Sequence, residues 1–130
     1  MKALVVDDQD INREILSMML EEFATVTTAG SGKEAIDAVA AAIDQNEPYD
    51  LICMDISMPT MQGHEAMQQI RALEGKKLAR RSISFMVTAS SDPEDMVAAL
   101  VLGECDDYLP KPVMRRTFVE LMQKHGLIKE

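Results

Sequence analysis

The sequence lacks the features that would direct it to a membrane or to secretion. No apolar run approaches the roughly 20 residues that a membrane-spanning helix needs. The first apolar stretch is about four residues long and runs directly into acidic residues, so it does not have the pattern of a secretory signal. We therefore expect the chain in the cytoplasm.

Basic charge and cysteine are also scarce. The formal net charge is −9, whereas a nucleic-acid-binding chain needs a basic face to displace counterions from phosphates. The one basic cluster, Lys76-Lys77 with Arg80-Arg81, is interpreted as the surface of a solvated loop. The two cysteines, Cys53 and Cys105, have no metal-like spacing. Cys53 lies within an apolar run and is expected to be a buried, reduced thiol.

Length and patterning indicate one α/β domain. The 130 residues, of which 47% are hydrophobic, are enough for one core and too few for two ordinary domains, so we predict a single domain over residues 1–130. Five strand patterns alternate with five helix patterns. The strands are expected at residues 3–6, 24–28, 51–54, 83–87 and 105–109. Runs that are apolar at every position are typical of strands covered on both faces, so the sheet should be parallel and doubly wound.

The helix patterns have recognisable beginnings and ends. The first predicted helix carries a core stripe from Asn12 to Phe23, and Ser31 with Glu34 forms a capping box before the second. That second helix should bury a stripe of Ile36, Val39, Ala40 and Ile43. The third is predicted over residues 63–73 with a loop at 75–81, the fourth over 92–103, and the last over 115–125.

Groups suited to phosphoryl chemistry follow four of the five strands. Asp7 and Asp8 follow the first strand, Asp55 the third, Thr88 the fourth and Lys111 the fifth. In a parallel sheet these positions meet at the carboxyl edge, where such sheets bind ligands. Three neighbouring carboxylates repel one another, and Mg²⁺, which takes oxygen ligands and retains water, would relieve that repulsion.

Asp55 differs from the acid pair because it stands alone at the end of a central strand. A carboxylate in that position can attack phosphorus and form an acyl phosphate, with Lys111 and Thr88 contacting the phosphoryl oxygens. Each residue also has a plainer interpretation. The acids could be solvated strand ends, Lys111 an ordinary loop lysine, and Thr88 a threonine that fits β geometry.

Taken together, these segments resemble a response-regulator receiver domain of bacterial two-component signalling, similar to the chemotaxis-type single-domain receivers. The resemblance covers essentially the whole chain. The matching segments are Val5-Val6-Asp7-Asp8, Asn12-Arg13, Met54-Asp55, Met58-Pro59-x-Met61-x-Gly63, Thr88-Ala89 and Tyr108-x-x-Lys111-Pro112. One departure is Gln62, which stands where the family often has an aspartate. Its side chain should point away from the metal.

The resemblance implies a flavodoxin-like (βα)5 fold with strand order 2-1-3-4-5 and a phosphoacceptor role for Asp55. The phosphodonor would be a histidine kinase or a histidine phosphotransfer protein, and the domain would be a signalling phosphoacceptor and not an enzyme. Mg²⁺ would be held by Asp7, Asp8, Asp55 and the backbone carbonyl of Ser57. Thr88 and Lys111 would contact the phosphoryl group, and the Lys111–Pro112 peptide bond would be cis.

Two further surfaces are candidates for protein partners. Ile11, Ile15 and Met18 form a second apolar stripe on the first helix, which either packs deeply in the core or docks the phosphodonor. Tyr108 stands where the family places its switch aromatic. With Thr88 it would couple phosphorylation to a downstream target on the surface of the fourth helix, fifth strand and fifth helix. Alternatively, Tyr108 is a half-buried strand tyrosine with a solvated hydroxyl.

Two other functional classes compete with this interpretation. Asp8-Gln9-Asp10 also fits the Asp-x-Asp of a Mg²⁺-dependent, aspartate-nucleophile phosphatase. Such an enzyme usually has a cap and a longer core, and it does not require Asp55. The second alternative is an interaction module that never uses its phosphate site. The presence of every expected site residue argues against it.

Overall fold

The computed structural model describes residues 1–56, 58–89 and 105–129. Five parallel strands form one sheet in the order β2-β1-β3-β4-β5, which confirms the predicted fold class and strand order. The strands are β1 (Lys2–Val6), β2 (Thr25–Ala29), β3 (Leu51–Asp55), β4 (Ile83–Thr88) and β5 (Asp107–Pro110).

Four helices lie within the described part of the chain. They are α1 (Asp10–Leu20), α2 (Gly32–Asp44), α3 (Gly63–Lys76) and the C-terminal helix (Arg115–Lys124). The fourth helix predicted from the sequence, over residues 92–103, lies outside the described residues. Ser31 caps α2 as expected, its hydroxyl oxygen accepting the backbone N–H of Glu34 at 3.2 Å.

Both faces of the sheet are covered, as the uniformly apolar strands predicted. Leu4, Ile52 and Met86 belong to a core cluster shared with α2 and α3, whereas Val5 and Phe85 belong to one shared with α1 and the C-terminal helix. Alternate strand residues therefore serve opposite faces. In this environment Cys53 is a buried free thiol, and burial raises its pKa well above the usual value.

Several predicted boundaries were wrong, and one predicted stripe is only partly buried. α1 ends at Leu20, before Phe23, and α3 continues to Lys76 where a loop was expected. In α2 the buried side chains are centred on Ala35, Val39 and Ala42, while Ile36 and Ile43 pack at the edge of the core. The buried face of α2 is therefore built on small alanines and Val39, with the two isoleucines beside it.

The basic residues between α3 and β4 are paired with acids of neighbouring segments. Arg80 forms an ion pair with Asp50 at 2.8 Å, and Arg81 forms one with Asp106 at 2.7 Å. Both arginine side chains are substantially exposed, and such pairs contribute little to stability. This arrangement agrees with the interpretation of a solvated loop.

The strand register brings the candidate site residues to one level. Val6 pairs with Met54, Asp55 pairs with Val87, and Thr88 pairs with Pro110. The residues that follow β1 and β5, and the last residues of β3 and β4, therefore reach the same carboxyl edge of the sheet. No described helix is long and apolar enough to cross a membrane.

Candidate metal and phosphoryl site

Asp7, Asp8 and Asp55 converge at the carboxyl edge of the sheet. Each has a carboxylate oxygen within 4.8 Å of an oxygen of the other two. Asp7 and Asp55 are buried, with 1% and 3% of their surface exposed, whereas Asp8 is exposed. Two of the three charges therefore lie where protein surrounds them and the third faces solvent, so the group is open on one side.

The two oxygens of the Asp7 carboxylate have different environments. Oδ1 accepts the backbone N–H of Gln9 at 2.9 Å and lies 3.5 Å from the Asn12 amide nitrogen. Oδ2 is buried and accepts no hydrogen bond from the described residues. A buried carboxylate oxygen without a donor is costly. A cation at the position shared with Asp8 and Asp55 would satisfy it.

The side chain of Lys111 reaches into the same cluster. Its ammonium nitrogen lies 3.2 Å from Oδ1 of Asp55 and 4.0 Å from Oδ2 of Asp7. Among the described residues one ammonium faces three carboxylates, so the site carries an excess of negative charge. This charge, the all-oxygen donor set and the open side suit Mg²⁺, which retains several waters at carboxylate sites.

Backbone contacts hold Lys111 and Thr88 beside Asp55. The N–H of Lys111 donates to the carbonyl of Thr88 at 2.9 Å, and the Lys111–Pro112 peptide bond is cis. Thr88 is buried, with 6% exposed, at the end of β4 next to the strand that carries Asp55. A crevice of about 230 Å³ opens between this loop and α1.

Gly63 is packed against the backbone of Asp55, the predicted phosphoacceptor. A Cβ atom at position 63 would lie 2.4 Å from the carbonyl oxygen of Asp55 and 3.0 Å from Cα of Ile56. The N–H of Gly63 donates to the carbonyl of Ile56 at 2.9 Å. The loop after β3 therefore closes tightly over Asp55, and only glycine fits. Gln62, just before, is exposed.

The structure thus brings together Asp7, Asp8, Asp55, Thr88 and Lys111. Ser57, whose carbonyl was expected among the metal ligands, lies outside the described residues. Asp10, the second acid of the alternative Asp-x-Asp motif, does not join the cluster. It begins α1, its side chain is 92% exposed, and it forms an ion pair with Arg13. The geometry therefore does not support the phosphatase alternative.

The apolar stripe of α1 lies at the surface. Ile11, Ile15 and Met18 are 59%, 43% and 67% exposed, whereas Leu16 and Leu20 of the same helix are buried. An adjoining groove of about 370 Å³ is lined by Ile15, Met18 and Met19 together with Glu21, Glu22 and Arg115. The stripe is therefore not part of the core, and deep packing of α1 does not explain it.

Tyr108 is more buried than either interpretation of the sequence expected. It is 6% exposed and belongs to the core cluster that contains Met86 and Cys105. The half-buried alternative is wrong for this conformation. The helix predicted over residues 92–103, which would complete the expected output surface, lies outside the described residues.

Sequence reasoning missed three contributors to the site. Asn12 was assigned only to the core stripe of α1, yet its amide is close to the Asp7 carboxylate. Arg13 was noted only as part of a matching segment, yet its guanidinium contacts the Asp7 backbone. Gly63 was noted only as part of a matching segment and as the start of the third predicted helix, yet it packs on the Asp55 backbone. All three residues are close in sequence to one of the acids, and this closeness could have suggested a role. The spacing of residues along the chain does not, however, show which of them contact the backbone of the site.

Comparison with known proteins agrees with this geometry. The family model for the response regulator receiver domain matches residues 3–123. The hybrid signal transduction histidine kinase G of Dictyostelium discoideum is 36% identical over 128 residues, which are 98% of this chain and 4% of that protein. The chain spans between 4% and 13% of the length of the first curated relatives that it matches.

Two solved structures are informative about the surroundings of the site. One is the complex of the Saccharomyces cerevisiae histidine phosphotransfer protein Ypd1 with the receiver domain of Ssk1. Its matching chain has a TM-score of 0.82 and 30% identity, over 97% of this chain and 88% of that one. The other is the receiver domain of the Pseudomonas aeruginosa sensor histidine kinase PA1611 with magnesium in its active-site cleft. Its TM-score is 0.77 at 29% identity, over 95% and 94% of the two chains.

We predict that Gly63→Ala destabilises the fold and distorts the site. The added methyl group collides with the Asp55 backbone, so we expect a loss of about 1–3 kcal/mol in the free energy of unfolding, as for an overpacked core. Gly75→Ala is the matched control. A Cβ there meets nothing within 4 Å, and α3 should gain up to about 1 kcal/mol. Urea denaturation of both variants measures the difference, and equal stabilities would contradict the steric argument.

Proposed function

This chain belongs to the response regulator receiver domain family, and from that premise we propose that Asp55 accepts a phosphoryl group from a phosphohistidine partner. The observation that carries the proposal is the convergence of Asp55 with two further acids and Lys111 at one edge of the sheet. The partner would be a histidine kinase or a histidine phosphotransfer protein. The relatives named above include a histidine kinase and a complex with a phosphotransfer protein.

In the proposed reaction a carboxylate oxygen of Asp55 attacks the phosphorus atom. The new O–P bond forms as the N–P bond to the donor histidine breaks, and the bonding electrons leave with the imidazole. The reactants need to be held in line, since most of the catalysis in phosphoryl transfer comes from positioning and charge stabilisation. The tight packing of Gly63 on the Asp55 backbone supports this role because it fixes the nucleophile.

Asp7, Asp8 and Asp55 are the residues that would hold Mg²⁺, together with the Ser57 carbonyl implied by the family. The bound ion would neutralise charge on the phosphoryl oxygens. The buried Oδ2 of Asp7, which accepts no hydrogen bond from the described residues, supports this assignment.

Lys111 and Thr88 would contact the transferred group. Lys111 already faces Asp55 at 3.2 Å, so its ammonium needs only a small movement to pair with a phosphoryl oxygen. Thr88 ends the neighbouring strand and would donate its hydroxyl hydrogen to another oxygen. A backbone hydrogen bond links the two residues and keeps them side by side.

The proposed role is that of a signalling phosphoacceptor that is not an enzyme for free substrates. We propose that residues 1–130 act as one receiver domain in the cytoplasm. The family match over residues 3–123 supports the extent of this domain. The two cysteines, both buried and free of a disulfide, are compatible with a reducing compartment.

We propose that the exposed stripe of Ile11, Ile15 and Met18 docks the phosphodonor. It begins within the first turn of α1, directly after the acid pair, so a partner seated on it would bring its histidine close to Asp55. Exposed apolar patches on small domains mark interaction sites. The exposed Glu14 and Glu21 lie three or four positions from residues of the stripe and would favour a donor with a basic rim.

Thr88 and Tyr108 would couple the phosphoryl group to a downstream target. Because Tyr108 is already buried in this structure, phosphorylation would favour a conformation that the unphosphorylated chain also adopts. A ligand can shift such an equilibrium only by its difference in affinity for the two states. The proposed output surface comprises the fourth helix implied by the family, β5 and the C-terminal helix.

We predict that acetyl phosphate and Mg²⁺ add one phosphoryl group to the wild-type chain and none to Asp55→Ala. Chelation of Mg²⁺ with EDTA should also prevent labelling. The control is Asp37→Asn, which changes an exposed acid of α2 and should be labelled normally. Intact-protein mass spectrometry measures the outcome. Labelling of Asp55→Ala to the wild-type extent would overturn the assignment of the nucleophile.

We predict that Ile15→Glu slows transfer from phosphorylated Ypd1 by at least about tenfold and leaves labelling by acetyl phosphate unchanged. A charge in the centre of an apolar contact removes a large share of its binding energy. Leu78→Glu is the matched control, because Leu78 is 93% exposed and lies far from α1 in sequence, before β4. Equal loss of both activities in Ile15→Glu would instead show a role in folding.

We predict that Thr88→Ala accepts the phosphoryl group but that phosphorylation changes the conformation of the output surface only weakly. Beryllofluoride, which mimics the acyl phosphate, should shift NMR signals of the wild-type chain at Tyr108 and along the C-terminal helix. Those shifts should shrink in Thr88→Ala because the hydroxyl that contacts the phosphoryl group is missing. Thr27→Ala, at an exposed position in β2, is the control. Wild-type shifts confined to the loops around Asp55 would refute coupling to this surface.

A further inference from the structure

Arg13 reaches from the first turn of α1 to the backbone of the metal-binding acids. One guanidinium nitrogen, Nη1, donates to the carbonyl oxygen of Asp7 at 2.6 Å. The other, Nη2, forms an ion pair with the Asp10 carboxylate. The Arg13 side chain is only 20% exposed. Among the described residues its guanidinium pairs with the Asp10 carboxylate and the Asp7 carbonyl, and not with a carboxylate of the proposed metal ligands. Its ion-pair partner is therefore Asp10, which lies outside the group of three acids.

The Asp7 carbonyl is part of the peptide unit that joins Asp7 to Asp8. A hydrogen bond to that carbonyl fixes the orientation of the peptide plane, and therefore the direction in which the Asp8 side chain projects from the backbone. The Asp7 carboxylate itself is oriented separately, by the Gln9 N–H at 2.9 Å. Because Asp8 is exposed and little packs around it, the backbone before it is the main constraint on where its carboxylate lies.

The loop before α2 supports the guanidinium from the other side. A Cβ at Gly30 would lie 3.3 Å from Nη1 of Arg13 and 3.3 Å from Oε2 of Glu34. That glutamate oxygen accepts the Gly30 N–H at 2.6 Å, and the N–H of Asp7 donates to the Ala29 carbonyl at 3.1 Å. The first turn of α1, the acid loop and the loop before α2 thus come together at Arg13.

We propose that Arg13 is a positioning residue that sets the Mg²⁺ affinity of the site through the peptide unit between Asp7 and Asp8. The inference rests on the proposed function, since it assigns those acids to Mg²⁺. Groups that orient metal ligands without touching the metal typically contribute 10–100-fold to metal affinity. A fork of two donors is required to bridge Asp7 and Asp10, and lysine does not supply it.

The test measures Mg²⁺ affinity directly, by NMR titration of the unphosphorylated full chain. We expect Arg13→Lys and Arg13→Met each to raise the Mg²⁺ dissociation constant by about tenfold or more. Gly30→Ala keeps Arg13 but crowds its guanidinium, and should raise the constant by a smaller factor. Arg116→Met is the control, since Arg116 is 90% exposed on the C-terminal helix and pairs only with Glu120 among the described residues. It should leave the constant unchanged.

Other outcomes overturn the inference. If both Arg13 variants unfold at lower urea concentration but bind Mg²⁺ as the wild type does, Arg13 is only structural. If Arg13→Met tightens Mg²⁺ binding and Arg13→Lys does not change it, the guanidinium acts through charge repulsion and not through position.

Failure of the proposed function itself would look different. A wild-type chain that binds Mg²⁺ at these acids but is not labelled by acetyl phosphate would refute the phosphoacceptor role and leave the Arg13 comparison valid. Absence of Mg²⁺ binding in the wild type would overturn both. At saturating Mg²⁺, labelling of Arg13→Lys should recover most of the wild-type rate, since the nucleophile Asp55 is held by other contacts.

Discussion

The site depends on one constraint, three carboxylates whose oxygens are held within 4.8 Å of one another at the end of a parallel sheet. Their mutual repulsion is not relieved by neighbouring donors alone, because Oδ2 of Asp7 is buried without a hydrogen bond from the described residues. Lys111 compensates one of the three charges. In the proposed function the remaining negative charge would be neutralised by a divalent cation, which would in turn bind a phosphoryl group.

At the opposite edge of the sheet, where the strands begin, the buried acids have hydrogen-bond and ion-pair partners. Glu74 is buried, but it accepts the N–H and the hydroxyl of Ser82, each at 2.8 Å, and forms an ion pair with Arg71 at 2.8 Å. At Asp107, burial favours the protonated form, but hydrogen bonds from His125, Lys124 and the Tyr108 N–H outweigh it and lower the pKa. Acids there are satisfied and structural. The contrast distinguishes the functional edge from an ordinary accumulation of acids in a chain of net charge −9.

α1 has three separate tasks on three parts of its surface. Leu16 and Leu20 bury one face against the sheet, and Ile15 with its neighbours leaves an apolar face open to a partner. Its first turn, through Arg13, holds the backbone of the acid pair. The same helix therefore connects the proposed docking surface to the proposed metal-binding loop, so a partner that moves α1 would also move the backbone of the two acids.

The sequence by itself determined the strand and helix alternation, the two-sided burial of the sheet and the identity of the groups at its carboxyl edge. Those features depend on local periodicity and on polar residues directly after apolar runs, which are visible along the chain. Tertiary structure alone decided that α2 buries Ala35 and Ala42, that Tyr108 is buried, that Gly63 lies against the Asp55 backbone and that Arg13 reaches the Asp7 carbonyl. These depend on distances between segments remote in sequence or on backbone orientation, and neither is encoded in the spacing of residue types.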